Sequence, residues 1–209
     1  MMRPFEQMFN WPNVLTLTRI MLIPLLVIFF YLPFSWSHLA ATLVFALASV
    51  TDWLDGYLAR YLKQTTKLGA FLDPVADKLM VSVALVLIVA EPTFQFVSTD
   101  FSIGRFLSAS AVITIPAAII VAREIIVSAL REWMAEIGKH KRVAVSKLGK
   151  VKTAVQMLAV VILLYCDNNT NAYLVFTGYI LLYIAAVLTI WSMCAYLSAA
   201  WRAVNDIND

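Results

Sequence analysis

The chain has 209 residues, 62% of them hydrophobic and 14% charged, with a mean hydropathy of +0.81. That balance excludes an ordinary water-soluble domain and selects an integral membrane protein. The formal net charge of +3 suits an anionic membrane surface and is too small to argue for nucleic-acid binding.

In chain order, residues 1–10 (MMRPFEQMFN) read either as a short interfacial helix or as a frayed end. Six apolar windows follow, near 14–34, 38–62, 69–90, 107–133, 148–166 and 172–198. Each is long enough to cross about 30 Å of hydrocarbon as a helix, which predicts an all-α fold of six transmembrane helices. The first window is too long for a signal-peptide core and no small-residue cleavage site follows it, so it reads as a retained helix. It opens with NVLTLTR, in which Asn13, Thr16 and Arg19 are three apart and share a helical face. Polar side chains at membrane depth need partners. The functional reading has them border a cavity and touch a nucleotide or a phosphate. The plainer one is a capping Asn13, with Arg19 snorkelling or paired with an acid.

The second window runs into the third through DWLDGYLARYLKQTTKLGAFLDPVAD, residues 52–77. Asp52, Asp55, Gly56, Ala59, Arg60, Gly69, Asp73 and Asp77 stand there in the pattern D-x2-D-G-x2-A-R-x8-G-x3-D-x3-D. Acids inside a membrane helix are costly unless paired, so each is a functional-site hypothesis by default. Four at helical spacing imply a strong positive partner, most simply divalent metal. Asp52, Asp55 and Ala59 fall on one helical face, and Gly69, Asp73 and Asp77 on another. Residues 61–68 read as a polar turn that would set the two acid pairs opposite each other on antiparallel helices. Gly56, Ala59 and Gly69 are small enough for a backbone or a ligand to come close. The bland alternative is an ion-pair network with Arg60, Lys63, Lys67 and Lys78.

The fourth window contains VAREIIVSALREW. Arg131 and Glu132 read as a solvated helix end. Arg123 lies deeper and needs an anion, whereas Glu124 faces another direction and can serve a neighbouring helix. The fifth window is entered through HKRVAVSKLGKVKTAVQM, with Lys147, Lys150 and Lys152. These read as an inside-positive anchor or, with Arg123, as a phosphate pocket, arginine binding phosphate bidentately and lysine adding point charge. The link DNNTN (167–171) reads as a polar turn rather than a glycosylation acceptor. Cys166 and Cys194 suggest neither a metal site nor a disulfide, and His38 and His140 are isolated. No linker divides the chain, which reads as one domain over 1–209.

Charge orients the helices. The links near 35–38, 91–104 and 167–171 carry no Lys or Arg, whereas Arg60, Lys63, Lys67, Arg131, Lys139, Lys141, Arg142 and Lys147 fall on the opposite side. The positive-inside rule then places both termini and the acid motif in the cytoplasm.

The 52–77 pattern resembles the signature of the CDP-alcohol phosphotransferase family, with all eight fixed positions and their spacing intact. NVLTLTR, the ARE element and GKVKT are similar to the branch of that family whose acceptor is sn-glycerol 3-phosphate. The resemblance implies a six-helix enzyme of the bacterial inner membrane, with its active site on the cytoplasmic face and a homodimeric assembly. It implies two divalent cations, Mg²⁺ or Mn²⁺, held by Asp52, Asp55, Asp73 and Asp77, with Asp77 also the catalytic base. Asn13, Thr16, Gly56, Ala59 and Arg60 would then border the nucleotide, and Arg19, Arg123, Lys147, Lys150 and Lys152 the acceptor phosphate. CDP-diacylglycerol would be the donor and CMP the released product, with the lipid tails left in the bilayer. Other acceptors within the family are an inositol phosphate, serine or phosphatidylglycerol. Outside it stand an intramembrane prenyltransferase, whose motifs lack this paired pattern, and a cation transporter, for which no broken inverted repeat is present.

Overall fold

The structure is a computed structural model and describes residues 11–62, 67–91, 109–137, 147–167 and 169–208. They form six helices: α1 (Trp11–Tyr31), α2 (Ser37–Leu62), α3 (Lys67–Ala90), α4 (Ala109–Glu136), α5 (Lys147–Tyr165) and α6 (Ala172–Asn208). One helix lies at each apolar window, and no strand occurs among the described residues. Three stretches are long and apolar enough to cross a membrane: Val14–Tyr31, Ala111–Glu136 and Ala172–Arg202. Ser37–Asp52 and Val151–Tyr165 are shorter apolar stretches. The chain is thus a multi-pass type of membrane protein. The interfacial helix considered for residues 1–10 lies outside the described residues, as does His140.

The polar turn expected at 61–68 falls partly on helix and partly outside the described residues. Tyr61, Leu62, Lys67 and Leu68 are helical, and residues 63–66 lie outside the described residues. None of those four is a helix breaker, and Leu and Lys are good helix formers, so the hydrogen-bond ladder continues into the polar stretch. In the link after α5, the Asn169 amide donates to Asp167 Oδ1 at 2.9 Å, a local turn closed by a side chain. Asn171 then caps α6, its Oδ1 accepting from the Tyr173 amide at 3.0 Å. Both contacts fit a plain polar turn.

The chain groups into two compact units, Met1–Ala90 with Leu164–Asn169, and Glu91–Leu163 with Thr170–Asp209. In the first, α1 packs against both α2 and α3. The buried residues of α1 are Thr16, Arg19, Leu26 and Phe30, a single stripe at helical spacing. Ala41 and Ala48 on α2 and Ala76 and Ala84 on α3 are buried in the same unit, small residues of the kind that let helices approach closely where lipid gives no hydrophobic drive. The outer faces present Met21, Leu43, Leu47 and Val86, side chains that suit acyl chains rather than water.

In the second unit α4 packs along α6. Val127 and Met134 interlock with Tyr196 and Ala200, flanked by Leu130, Ile137 and Met193. Gly178 of α6 faces the end of α5, where a Cβ would lie 2.7 Å from Leu163 Cδ2, so only glycine permits this approach. The aromatic residues Tyr31, Trp36, Tyr165 and Tyr173 are exposed near helix ends at the links without Lys or Arg, and Trp133 and Trp201 near the basic ones. Such amphipathic rings sit at membrane–water interfaces.

Candidate functional site: an acidic motif and a buried cationic cluster

The first unit carries the acid motif. Asp52 and Asp55 lie in the last three turns of α2, and Asp73 and Asp77 in the first three of α3. At 1.5 Å per residue, Asp52 stands about 15 Å before the end of α2 and Asp77 about 15 Å after the start of α3. Asp55 and Asp73 stand about 9–10 Å from the same ends. Each pair therefore stands within three turns of where α2 ends or α3 begins. Gly56, Ala59, Arg60 and Gly69 are helical too, Gly69 one turn before Asp73. The side chains of Asp55, Ala59, Arg60, Asp73 and Asn13 lie outside the described residues.

Asp52 has a partner that spacing alone does not show. Arg19 Nη1 of α1 binds Asp52 Oδ1 at 2.7 Å. The Arg19 side chain is 1% exposed and that of Asp52 39%. A guanidinium sealed in a helix bundle is thus neutralised by a carboxylate that still opens outward. Thr16, one turn before Arg19, is buried on the same face. The pairing of Arg19 with an acid is one of the two readings open to it from sequence. Asp77 is half-buried, close to the buried Ala76 and Met80.

These residues can be tested for their fit to divalent cations by donor chemistry. The motif supplies only carboxylate oxygens, the set preferred by hard cations such as Mg²⁺ and Mn²⁺ over zinc. Asp52 keeps part of its carboxylate open beside Arg19. The donor set fits. Among the described residues no three His, Cys, Asp or Glu side chains gather, and Asp55 and Asp73 are the two whose side chains fall outside them.

The second unit carries a separate polar cluster. Arg123 of α4 is 6% exposed and Lys152 of α5 is 2% exposed. Glu124 Oε1 accepts from Arg123 Nη1 at 3.2 Å and also from Lys152 Nζ. Arg123 Nη2 donates to Ser192 Oγ of α6 at 3.2 Å. Ser192 in turn donates to the Thr189 carbonyl at 3.0 Å, which fixes the direction of its lone pairs. The Arg123 guanidinium lies over the Tyr196 ring, 5.7 Å from its centroid, a cation–π contact.

Two cations, Arg123 and Lys152, thus share the Glu124 carboxylate. Arg123 Nε is buried without a partner among the described residues, as is Gln156 Oε1, one turn beyond Lys152. A buried donor left unmade costs on the order of 1–3 kcal/mol, and an anion reaching Arg123 would recover it. The cluster offers two cations and one unsatisfied buried donor to a phosphate.

The structure brings Arg123 and Lys152 together as the sequence suggested. Lys147 and Lys150 stand in the first turn of α5, their side chains outside the described residues. Arg131 and Glu132 are exposed, a solvated helix end as expected. Ser192 and Tyr196 escaped the sequence reading. The available signal was the i, i+3, i+7 spacing of Thr189, Ser192 and Tyr196 along one face of the last apolar window.

The chain is 51% identical over 198 residues to a protein of Escherichia coli strain K12 named CDP-diacylglycerol--glycerol-3-phosphate 3-phosphatidyltransferase, covering 95% of this chain and 98% of that one. It is 50% identical over 192 residues to a Salmonella choleraesuis protein of the same name, covering 92% and 95%. The family model for CDP-alcohol phosphatidyltransferase matches residues 9–191, a span that takes in the acid motif and Arg123, Glu124 and Lys152, and the chain belongs to that family.

Proposed function

We propose that the protein transfers the phosphatidyl group of CDP-diacylglycerol to sn-glycerol 3-phosphate, giving phosphatidylglycerophosphate and CMP. The observation that carries the choice of acceptor is the buried Arg123–Lys152 cluster, two cations on one carboxylate with Arg123 Nε buried without a partner among the described residues, which favours a phosphorylated alcohol over serine or a neutral polyol. The half-identical relatives, whose printed names state this activity, support it.

The acceptor hydroxyl oxygen forms a bond to the phosphorus that carries diacylglycerol. The bond from that phosphorus to the bridging oxygen breaks, and CMP leaves with the electron pair. Asp77 takes the hydroxyl proton. Asp52, Asp55, Asp73 and Asp77 would hold two divalent cations, Mg²⁺ or Mn²⁺. Bound there, these supply positive charge against the diphosphate, in the ground state and as CMP departs. Asn13, Thr16, Gly56, Ala59 and Arg60 would border the nucleotide. Arg123, Lys147, Lys150 and Lys152 would bind the acceptor phosphate. Arg19 would contact substrate phosphate as well as Asp52. Six spans with both termini cytoplasmic, in a bacterial inner membrane, would present these groups to water-soluble acceptor while the lipid tails stay in the bilayer. The functional unit would be one domain over 1–209, assembled as a homodimer; the unbroken family match over 9–191 supports the single domain.

The test is acceptor profiling. Purified protein is given CDP-diacylglycerol, Mg²⁺ and a panel of alcohols, and CMP release is measured. Glycerol 3-phosphate is expected to be the preferred acceptor. Equal use of unphosphorylated glycerol or inositol overturns the assignment.

A further inference from the structure

We propose that Glu124 is a positioning residue that holds Arg123 and Lys152 in the spacing the acceptor phosphate requires, an inference that rests on the acceptor reading above. An acid in a phosphate-binding cluster is unexpected on charge alone, since it repels the ligand. Its contacts give it a different role. One oxygen, Oε1, takes hydrogen bonds from cations on two different helices, Arg123 on its own and Lys152 on α5. The two cations, left to themselves, repel each other in a setting of low dielectric. Lysine is also a flexible point charge with no planar geometry of its own. Glu124 removes the repulsion and pins the lysine head group to the arginine.

The rest of the cluster completes the arrangement. Ser192 holds the second terminal nitrogen of Arg123, and the Tyr196 ring backs the guanidinium plane. Arg123 Nη1 and Nη2 are therefore both anchored by protein, and Nε is the donor without a partner among the described residues. The guanidinium cannot rotate to chase a ligand. It presents one fixed edge, beside a lysine at a fixed separation. Side chains held this way lose little freedom on binding, which is where preorganisation gains affinity.

This role and simple electrostatics predict opposite signs. Glu124→Gln adds one positive charge to the cluster. If charge alone governed the site, glycerol 3-phosphate would bind more tightly and its apparent KM would fall. If Glu124 positions the cations, that KM rises, by about tenfold for loss of a coupled pair of contacts. The KM for CDP-diacylglycerol and kcat at saturating acceptor should each move less than threefold, about the limit of an indirect effect.

The experiment measures CMP release from detergent-purified wild type, Glu124→Gln and Ser192→Ala, varying each substrate in turn. Ser192→Ala removes only the hydroxyl that accepts from Arg123, and is expected to raise the glycerol 3-phosphate KM about threefold, the loss of one hydrogen bond. A Glu124→Gln KM for glycerol 3-phosphate that is unchanged or lower overturns the proposal. So does an equal loss across kcat and both KM values, which marks a merely structural acid. Should Glu124→Gln fail to assemble, Ser192→Ala decides: an unmoved acceptor KM overturns the preorganised cluster. Wild-type protein that releases no CMP with glycerol 3-phosphate sinks the proposed function, and this proposal with it. An active wild type with an unmoved Glu124→Gln sinks the positioning role alone.

Discussion

The two units each seal an arginine among helices, and each gives it an acid, yet the two arrangements differ in make-up. In the first unit Arg19 binds Asp52 at 2.7 Å, an acid that opens outward and belongs to a motif of four. In the second, Arg123 shares its acid, Glu124, with a second cation, Lys152. On the proposed function the first region would take cations and the second the acceptor phosphate. Buried ion pairs contribute little net stability and their removal is costly.

The largest effects are expected in the carboxylate region. Asp52→Asn, Asp55→Asn or Asp73→Asn should reduce turnover to background while the protein still inserts and remains folded, checked by CMP release and by size exclusion in detergent. EDTA should inactivate the wild type, and Mg²⁺ or Mn²⁺ should restore it. Full activity after exhaustive chelation would remove the contrast, because the acids would then need no cation.

Asp77→Asn comes next. It keeps the shape and one oxygen but loses the proton acceptor. Turnover should fall by roughly 10²–10⁴, the usual contribution of a general base. Binding of CDP-diacylglycerol, measured separately, should change much less. An equal loss of donor binding would make Asp77 a ligand only.

In the cationic region the expected change is in KM. Arg123→Ala should raise the glycerol 3-phosphate KM by about tenfold to a hundredfold, as for a charge-assisted contact worth roughly 1.5–3 kcal/mol. The KM for CDP-diacylglycerol should move little. Lys150→Ala and Lys152→Ala should shift the same parameter by less, lysine being a point charge. Steady-state kinetics with each substrate varied decides it, and an unmoved acceptor KM in Arg123→Ala places the phosphate elsewhere.

The two regions also differ in how far the sequence shows them. The acid motif is local. Its spacing within 52–77 gives the faces and the position of each acid pair along its own helix. Hydropathy likewise places all six helices, because a window apolar enough to cross lipid has no better option than to satisfy its own backbone. The cationic cluster is not local. Arg123 meets Ser192 across 69 positions, and Lys152 meets Glu124 across 28. Arg19 meets Asp52 only because the buried face of α1 packs against α2. Hydropathy assigns each polar residue a depth and periodicity assigns it a face, but which faces meet depends on the packing of small residues. Glu124 was legible as serving another helix. That the same oxygen would also hold Arg123 was not, since neighbours at i and i+1 do not normally face each other on a helix.

The smallest effect separates packing from charge. Gly178 lies 14 residues before Ser192 on α6, about 21 Å along the helix axis. A Cβ there would stand 2.7 Å from Leu163 Cδ2 and 2.8 Å from its Cγ, and Leu163 is fully buried. Cγ is not the free end of a flexible side chain, so the whole of Leu163 must shift. Overpacking of this kind costs about 1–3 kcal/mol. Gly178→Ala should therefore lower the thermal midpoint in detergent by several degrees, while the glycerol 3-phosphate KM below that midpoint stays at the wild-type value. If the KM rises with it, as in Arg123→Ala, the cationic cluster responds to any loosening of α6, and its kinetics report helix packing rather than contact with phosphate. If stability falls alone, the acceptor KM is a local property of the charges, and the contrast between the two regions rests on chemistry rather than on rigidity.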